Sequence, residues 1–125
     1  MATTAAVISG IDAIYYLAKD LERATAFYRD KLGLSPTLEM PGYVTEFTFG
    51  GGETFGLYKS PEGEWHASGG VMFAVPDVRG AVAELQGAGI AFTGDGHIEE
   101  TPVCLMAFGQ DSEGNGFILH QRTAG

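Results

Sequence analysis

A single cysteine, Cys104, leaves the 125-residue chain no internal disulfide, and such cysteine usage fits a reducing compartment. Basic residues are also scarce. Seven Lys and Arg face sixteen Asp and Glu, a net charge of −9, and between Glu62 and Glu113 the only Lys or Arg is Arg79. Such a surface repels phosphate backbones, so neither nucleic acid nor a membrane is expected as a partner, whereas a cationic small molecule is attracted. No apolar run is long enough to span a bilayer. The start, Met1 to Gly10, lacks the basic and long apolar regions of a secretory signal, so the expected location is cytoplasmic. There is no nucleophile motif, phosphate-binding loop or nucleotide fingerprint, and no cofactor is expected. Gly50-Gly51-Gly52 is followed by neither Gly-Lys-Ser/Thr nor a helix start and reads as a hairpin turn.

What the chain does have is apolar content, 45% against 18% charged, enough for a core in one domain over 1–125. Its nineteen glycines follow no collagen period and point to turns between short strands. An internal repeat organises the rest. Strand Ile11–Ala18 leads to Asp20 and a helix with Leu21, Ala24, Tyr28 and Leu32 on one face, stopped by Gly33. Val71–Val75 leads likewise to Asp77 and a helix with Val78, Ala81, Val82 and Leu85, stopped by Gly87 and Gly89. Both aspartates stand where an N-cap carboxylate accepts backbone N–H bonds. Three strands follow each helix: Leu34–Met40, Tyr43–Phe49 and Thr54–Tyr58, then Ile90–Thr93, Val103–Phe108 and Gly116–Gln121. The pattern is βαβββ twice, an α+β fold with module one at about 8–60, a connection at about 61–69 and module two at about 70–122.

Strand alternation sorts the side chains into two faces. Ile14, Tyr16, Phe47, Phe49, Val71, Phe73, Val75, Phe117 and Leu119 form an apolar face that seats the helices. Ala13, Tyr15, Leu17, Val44, Glu46, Thr48, Gly70, Met72, Ala74, Ile118 and His120 form the other. That mixture suits a ligand pocket, with a partly wet sheet surface or a dimer contact as the plain alternative.

The Asp20-Leu21, Phe27-Tyr28 and Leu32-Gly33-Leu34 motifs, Val75-Pro76-Asp77-Val78, and Asp111-Ser112-Glu113-Gly114-Asn115 before Phe117 and Leu119 together resemble the vicinal oxygen chelate superfamily of glyoxalases, extradiol dioxygenases and fosfomycin and bleomycin resistance proteins. The resemblance implies two βαβββ modules forming an incompletely closed β-barrel around a cavity, with the helices outside. It also implies a homodimer. Its metal-dependent members hold a divalent ion on the inward strand faces, and the matching positions here carry Ala13, Gly70 and Ile118, with only Glu46 able to ligate. One ligand of four does not hold such a metal, so no metal site is expected.

The expected ligand wall is Tyr15, Val44, Glu46, Thr48, Trp65, Met72, Met106 and His120. Glu46 needs a partner, water or a cationic ligand on an inward face, and His120 is either a ligand-facing group or a half-exposed strand histidine. Trp65 either lids the pocket or anchors the connecting loop. His66 and His97 fall in loops, and Cys104 reads as a buried thiol without a basic activator. The implied function is metal-independent binding of an aromatic or cationic amphipathic small molecule. The enzymatic alternative is a glyoxalase-like lyase or dioxygenase with a displaced metal site, or an isomerase using Glu46 and His120 as base and acid.

Overall fold

Asp20 and Asp77 each follow a strand and cap the start of a helix in the computed structural model, which describes residues 11–61, 66–67 and 69–123. Their carboxylates accept the N–H of Arg23 (3.0 Å) and of Gly80 (3.1 Å), three residues on, satisfying a donor that the first helical turn leaves unpaired. The first module runs β1 (Ala13–Ala18), α1 (Leu21–Ala26) extended by a π-helical turn (Phe27–Lys31), β2 (Leu38–Met40), β3 (Val44–Thr48) and β4 (Thr54–Lys59). The second runs β5 (Val71–Ala74), α2 (Val78–Gly87), a 3₁₀ turn (Thr93–Asp95), β6 (Glu99–Glu100), β7 (Cys104–Gln110) and β8 (Gly116–Arg122). Each module is a four-stranded sheet, ordered β1-β4-β3-β2 and β5-β8-β7-β6. In each, the first and last strands pair in parallel and the helix makes the crossover.

The second module departs from the expected strands. Ile90–Thr93 is not a strand: only Phe92 bridges to β7, opposite Gly109, before the 3₁₀ turn. The edge strand is instead the dipeptide Glu99–Glu100, whose charges suit a short sheet edge that must not recruit another strand.

The alternation rule holds in the core. Tyr16, Phe47, Phe55, Phe117 and Leu119 are buried with Leu21, Phe27 and Tyr28 of the first helix and Val78 and Val82 of the second. Phe55 meets the rings of Tyr16, Tyr28, Phe47 and Phe73. Ile14 and Phe49 do not follow it: they are 41% and 40% exposed.

The modules are fastened where the first helix meets the β7–β8 loop. Asp111 Oδ1 accepts the N–H groups of Glu113 and Asn115 (2.8 Å each), and its Oδ2 accepts the buried Tyr28 hydroxyl (2.8 Å). Asn115 reaches back to the Leu17 carbonyl (3.0 Å). The Tyr16 hydroxyl donates to the Gly116 carbonyl and accepts the Val71 N–H, both at 2.8 Å. Glu113, its side chain wholly buried, takes Arg23 Nε at 2.6 Å and Nη2 at 2.9 Å, the paired geometry that suits a guanidinium and a carboxylate.

Burial pushes the Glu113 carboxyl up, but hydrogen bonds from Arg23, the Asp20 N–H and Ser112 outweigh it, and its pKa falls below the ordinary 4.5. A carboxyl whose pKa is lower folded than unfolded stabilises fully above the unfolded value and loses that contribution as pH falls through the folded one. Glu113→Gln is therefore expected to flatten the loss of stability below pH 4.5, read by urea denaturation across an acid series. An acid limb as steep as the wild type's would contradict this role.

Candidate functional site

The sheet faces turned away from the helices carry the expected site residues, and on the first sheet they are organised by a glycine. Tyr15, Gly56, Glu46 and Leu38 lie in one row across β1, β4, β3 and β2. A Cβ at Gly56 would stand 2.2 Å from Tyr15 Cε1, so only glycine lets the Tyr15 ring lie across β4. Lying there, Tyr15 donates its hydroxyl to Glu46 Oε2 and packs against Tyr58, ring centres 4.9 Å apart. That hydrogen bond, with some burial and the negative charge beside it, pushes the Tyr15 phenol up to about 12. The carboxylate that needed a partner has one. Gly56 was not among the expected site residues, although a glycine inside a strand is the usual mark of a close approach.

Around this pair the face is open and apolar. Tyr15 is 37% exposed, and Leu38, Met40 and Tyr58 are more so. Thr48 lies at its end, its hydroxyl bonded to that of Thr54 (2.9 Å), while Val44 is buried. On the second sheet His120 pairs with Met106 on one side and Ala74 on the other, and Met72 pairs with Ile118 beside Phe108. Met72 and Phe108 are exposed, and Met106, Ile118 and His120 are partly buried. Glu46 is bonded to Tyr15, and His120 lies on the other sheet, on β8 between Met106 and Ala74. Trp65 lies outside the described residues. His97 is exposed and bonded to Glu99 (3.0 Å), His66 is exposed, and Cys104 is buried beside the Thr101 hydroxyl (3.1 Å).

The repeat assigns equivalent positions. The loops Phe49–Glu53 and Asp111–Asn115 close with the same hydrogen bonds, from the first residue's N–H to the fifth's carbonyl and from the fourth's N–H to the first's carbonyl. Ile118 on β8 is thus the counterpart of Gly56 on β4, and Ala13 that of Gly70. Glu46 reaches the same face from the adjacent strand. Among the described residues no three His, Cys, Asp or Glu side chains come together as a metal-ligating group.

A larger recess among the described residues lies elsewhere. A cavity of about 700 Å³ lies between the modules, against β1, β5, α2 and the β3–β4 loop, and among the described residues Met72 is the only expected wall residue that borders it.

Residues 10–117 match the model of the Glyoxalase/Bleomycin resistance protein/Dioxygenase superfamily. The chain belongs to this superfamily. Its glyoxalase-type fold recurs in solved structures across nearly the whole length. An antibiotic binding protein from Streptomyces sp. CB03234, TnmS3, is 24% identical over 94% of this chain and 99% of its own, with a TM-score of 0.78. Lactoylglutathione lyase from Agrobacterium tumefaciens is 21% identical over 93% and 96%, at 0.76. A glyoxalase/dioxygenase from Nostoc punctiforme is 18% identical over 98% and 97%, at 0.75. Among curated proteins no sequence matches. At these identities the glyoxalase-type neighbours share the fold, and a fold of this kind hosts unrelated activities. No helix among the described residues is long and apolar enough to cross a membrane.

Proposed function

We propose that this superfamily member is a metal-independent small-molecule binding protein that holds an aromatic or cationic amphipathic ligand against the sheet face built on Tyr15 and Glu46. The observation that carries the reading is the Tyr15 ring laid across Gly56 and hydrogen-bonded to Glu46. This gives a fixed aromatic surface with a carboxylate at its edge, among exposed Tyr58, Leu38 and Met40. Aromatic faces stack on flat ligands and attract cations, and a carboxylate beside them adds charge selectivity. Thr48, Met72, Met106 and His120 extend the wall, with methionines suited to ligands of varied shape. That a similarly folded protein is described as antibiotic-binding supports the ligand class. In this reading the protein works in the cytoplasm as a homodimer whose second copy covers the exposed faces and completes the wall. Its ligand is neither nucleic acid nor membrane.

Calorimetric titration with 2-naphthylmethylamine and its neutral analogue 2-naphthylmethanol tests the site. Glu46→Gln is expected to weaken the amine roughly ten-fold, about the worth of one charge-assisted contact, and the alcohol less than about two-fold. Equal losses for the two would remove Glu46 from ligand recognition. Turnover of a glyoxalase or dioxygenase substrate, lost with a chelator, would replace binding with catalysis.

A further inference from the structure

The two modules create two equivalent junctions between a helix and the other module's hairpin loop, and the sequence fastens only one. At the fastened junction Arg23 meets Glu113, Tyr28 meets Asp111, Tyr16 meets the Gly116 carbonyl and Asn115 meets the Leu17 carbonyl. The matching positions at the other are Phe73, Gly80 and Leu85, facing Phe49, Gly51 and Glu53. Every side chain that forms the polar fastening is replaced by one that cannot reproduce it, and the 700 Å³ cavity occupies this second junction. The exposures diverge in step. Val71 and Asp111 are 8% and 7% exposed, whereas their counterparts Ile14 and Phe49, both lining the cavity, are 41% and 40%.

We propose that the unfastened junction is a second binding site, separate from the Tyr15–Glu46 face, for a lipophilic amine. Its walls are the apolar side chains of Ile14, Phe49, Phe73, Val75, Ala81 and Leu85, and its volume falls within the range of small-molecule pockets. Among the described residues, the ionisable ones on the lining are all acids, Asp12, Glu53 and Glu84. A hydrocarbon body fits the walls, and a protonated amine at the rim complements three carboxylates with no lysine or arginine among the lining residues. An anionic head would meet only like charge.

The test uses one hydrocarbon with three heads: 4-phenylbenzylamine, 4-phenylbenzyl alcohol and 4-phenylbenzoate, titrated by calorimetry into the intact chain and variants. The amine is expected to bind in the order amine, alcohol, benzoate, with roughly ten-fold between steps. Glu53 and Glu84 are exposed, so the double variant Glu53→Gln, Glu84→Gln keeps the fold. It should bring the amine to within about two-fold of the alcohol, leaving the alcohol unchanged. Ala81→Trp, which fills the cavity from α2, should abolish the binding of all three that remains when Gly56→Val has displaced the Tyr15 ring of the sheet face. Binding of this amine that persists in Gly56→Val, whose side chain takes the space of the Tyr15 ring, belongs to the cavity, which separates this site from the sheet face. Equal affinities for the three heads would overturn the proposal, as would undiminished binding in Ala81→Trp on the Gly56→Val background or loss of all binding in Gly56→Val alone. So would a gain of roughly ten-fold or more on removing Met1–Gly10, which would make the chain's own N-terminal segment the occupant. If Ala81→Trp fails to fold, the double glutamine variant decides: an amine preference that survives it sinks the charge complementarity on which the site rests.

Discussion

Asp111→Ala is expected to cost roughly 3–5 kcal/mol of stability, since it strips partners from several buried groups at once. Asp111 is buried and accepts four hydrogen bonds: from the Tyr28 hydroxyl, the N–H groups of Glu113 and Asn115, and the Asn115 side chain at 3.2 Å. Tyr28 is the acute case. It is wholly buried among Phe27, Phe47, Phe55 and Phe73. Burial, reinforced by the Asp111 charge and hydrogen bond, drives its ionisation far above the ordinary tyrosine range, so the hydroxyl stays protonated and must find an acceptor. Asp111→Asn retains an acceptor and should lose much less. Urea denaturation of the two variants distinguishes a buried polar network from a hairpin turn with ordinary turn residues. A loss below about 1 kcal/mol for the alanine variant, the scale of a solvent-exposed turn contact, would contradict the network.

Gly56→Val is expected to abolish the organisation of the sheet face without unfolding the chain. Its Cβ takes the space of the Tyr15 ring, and because Tyr15 is partly exposed the ring can swing outward. Valine otherwise suits a strand better than glycine does. Two consequences follow. The Tyr15 phenol, released from Glu46, returns from about 12 toward 10, readable by NMR titration of ring-labelled tyrosine with Tyr15→Phe as the assignment control. Affinity of the sheet face for aromatic ligands falls at least about ten-fold for charged and neutral alike, because the stacking surface itself has moved. Glu46→Gln, in contrast, discriminates by charge. If the phenol keeps its high value in Gly56→Val, the ring has not been displaced and the glycine has no positioning role.

The face assignments were legible because strand period two is a direct consequence of backbone geometry. Tyr16, Phe47, Phe117 and Leu119 could be placed in the core, and Tyr15 and Glu46 opposite them, without coordinates. The aspartate caps were legible for a similar reason, since the orphan donors of a first helical turn are a local matter. What escaped was non-local. Asp111-Ser112-Glu113-Gly114-Asn115 has the composition of a turn and forms one, but its partners Tyr28, Arg23 and Leu17 lie in the other module. Nothing in a turn's composition says that its acids will be buried. Glu99–Glu100 as a strand and Ile90–Thr93 without one show the same limit, because edge pairing answers to the neighbouring strand more than to propensity. The cavity depends on what is missing at one of two equivalent junctions, which becomes visible only when the modules are laid against each other.

The fastened junction also sets an order of events in folding. Its hydrogen bonds between the first module and residues 111–116 join positions 83 to 100 apart along the chain, and closing loops of that length costs entropy before any of those bonds can form. Each module, in contrast, can pair β3 with β4, or β7 with β8, across five-residue connections. The hairpins therefore come first and the fastening late. Until it closes, both modules present to water the aromatic side chains that the finished protein buries between them, and the interval before closure is when the chain is most exposed to association with its own copies.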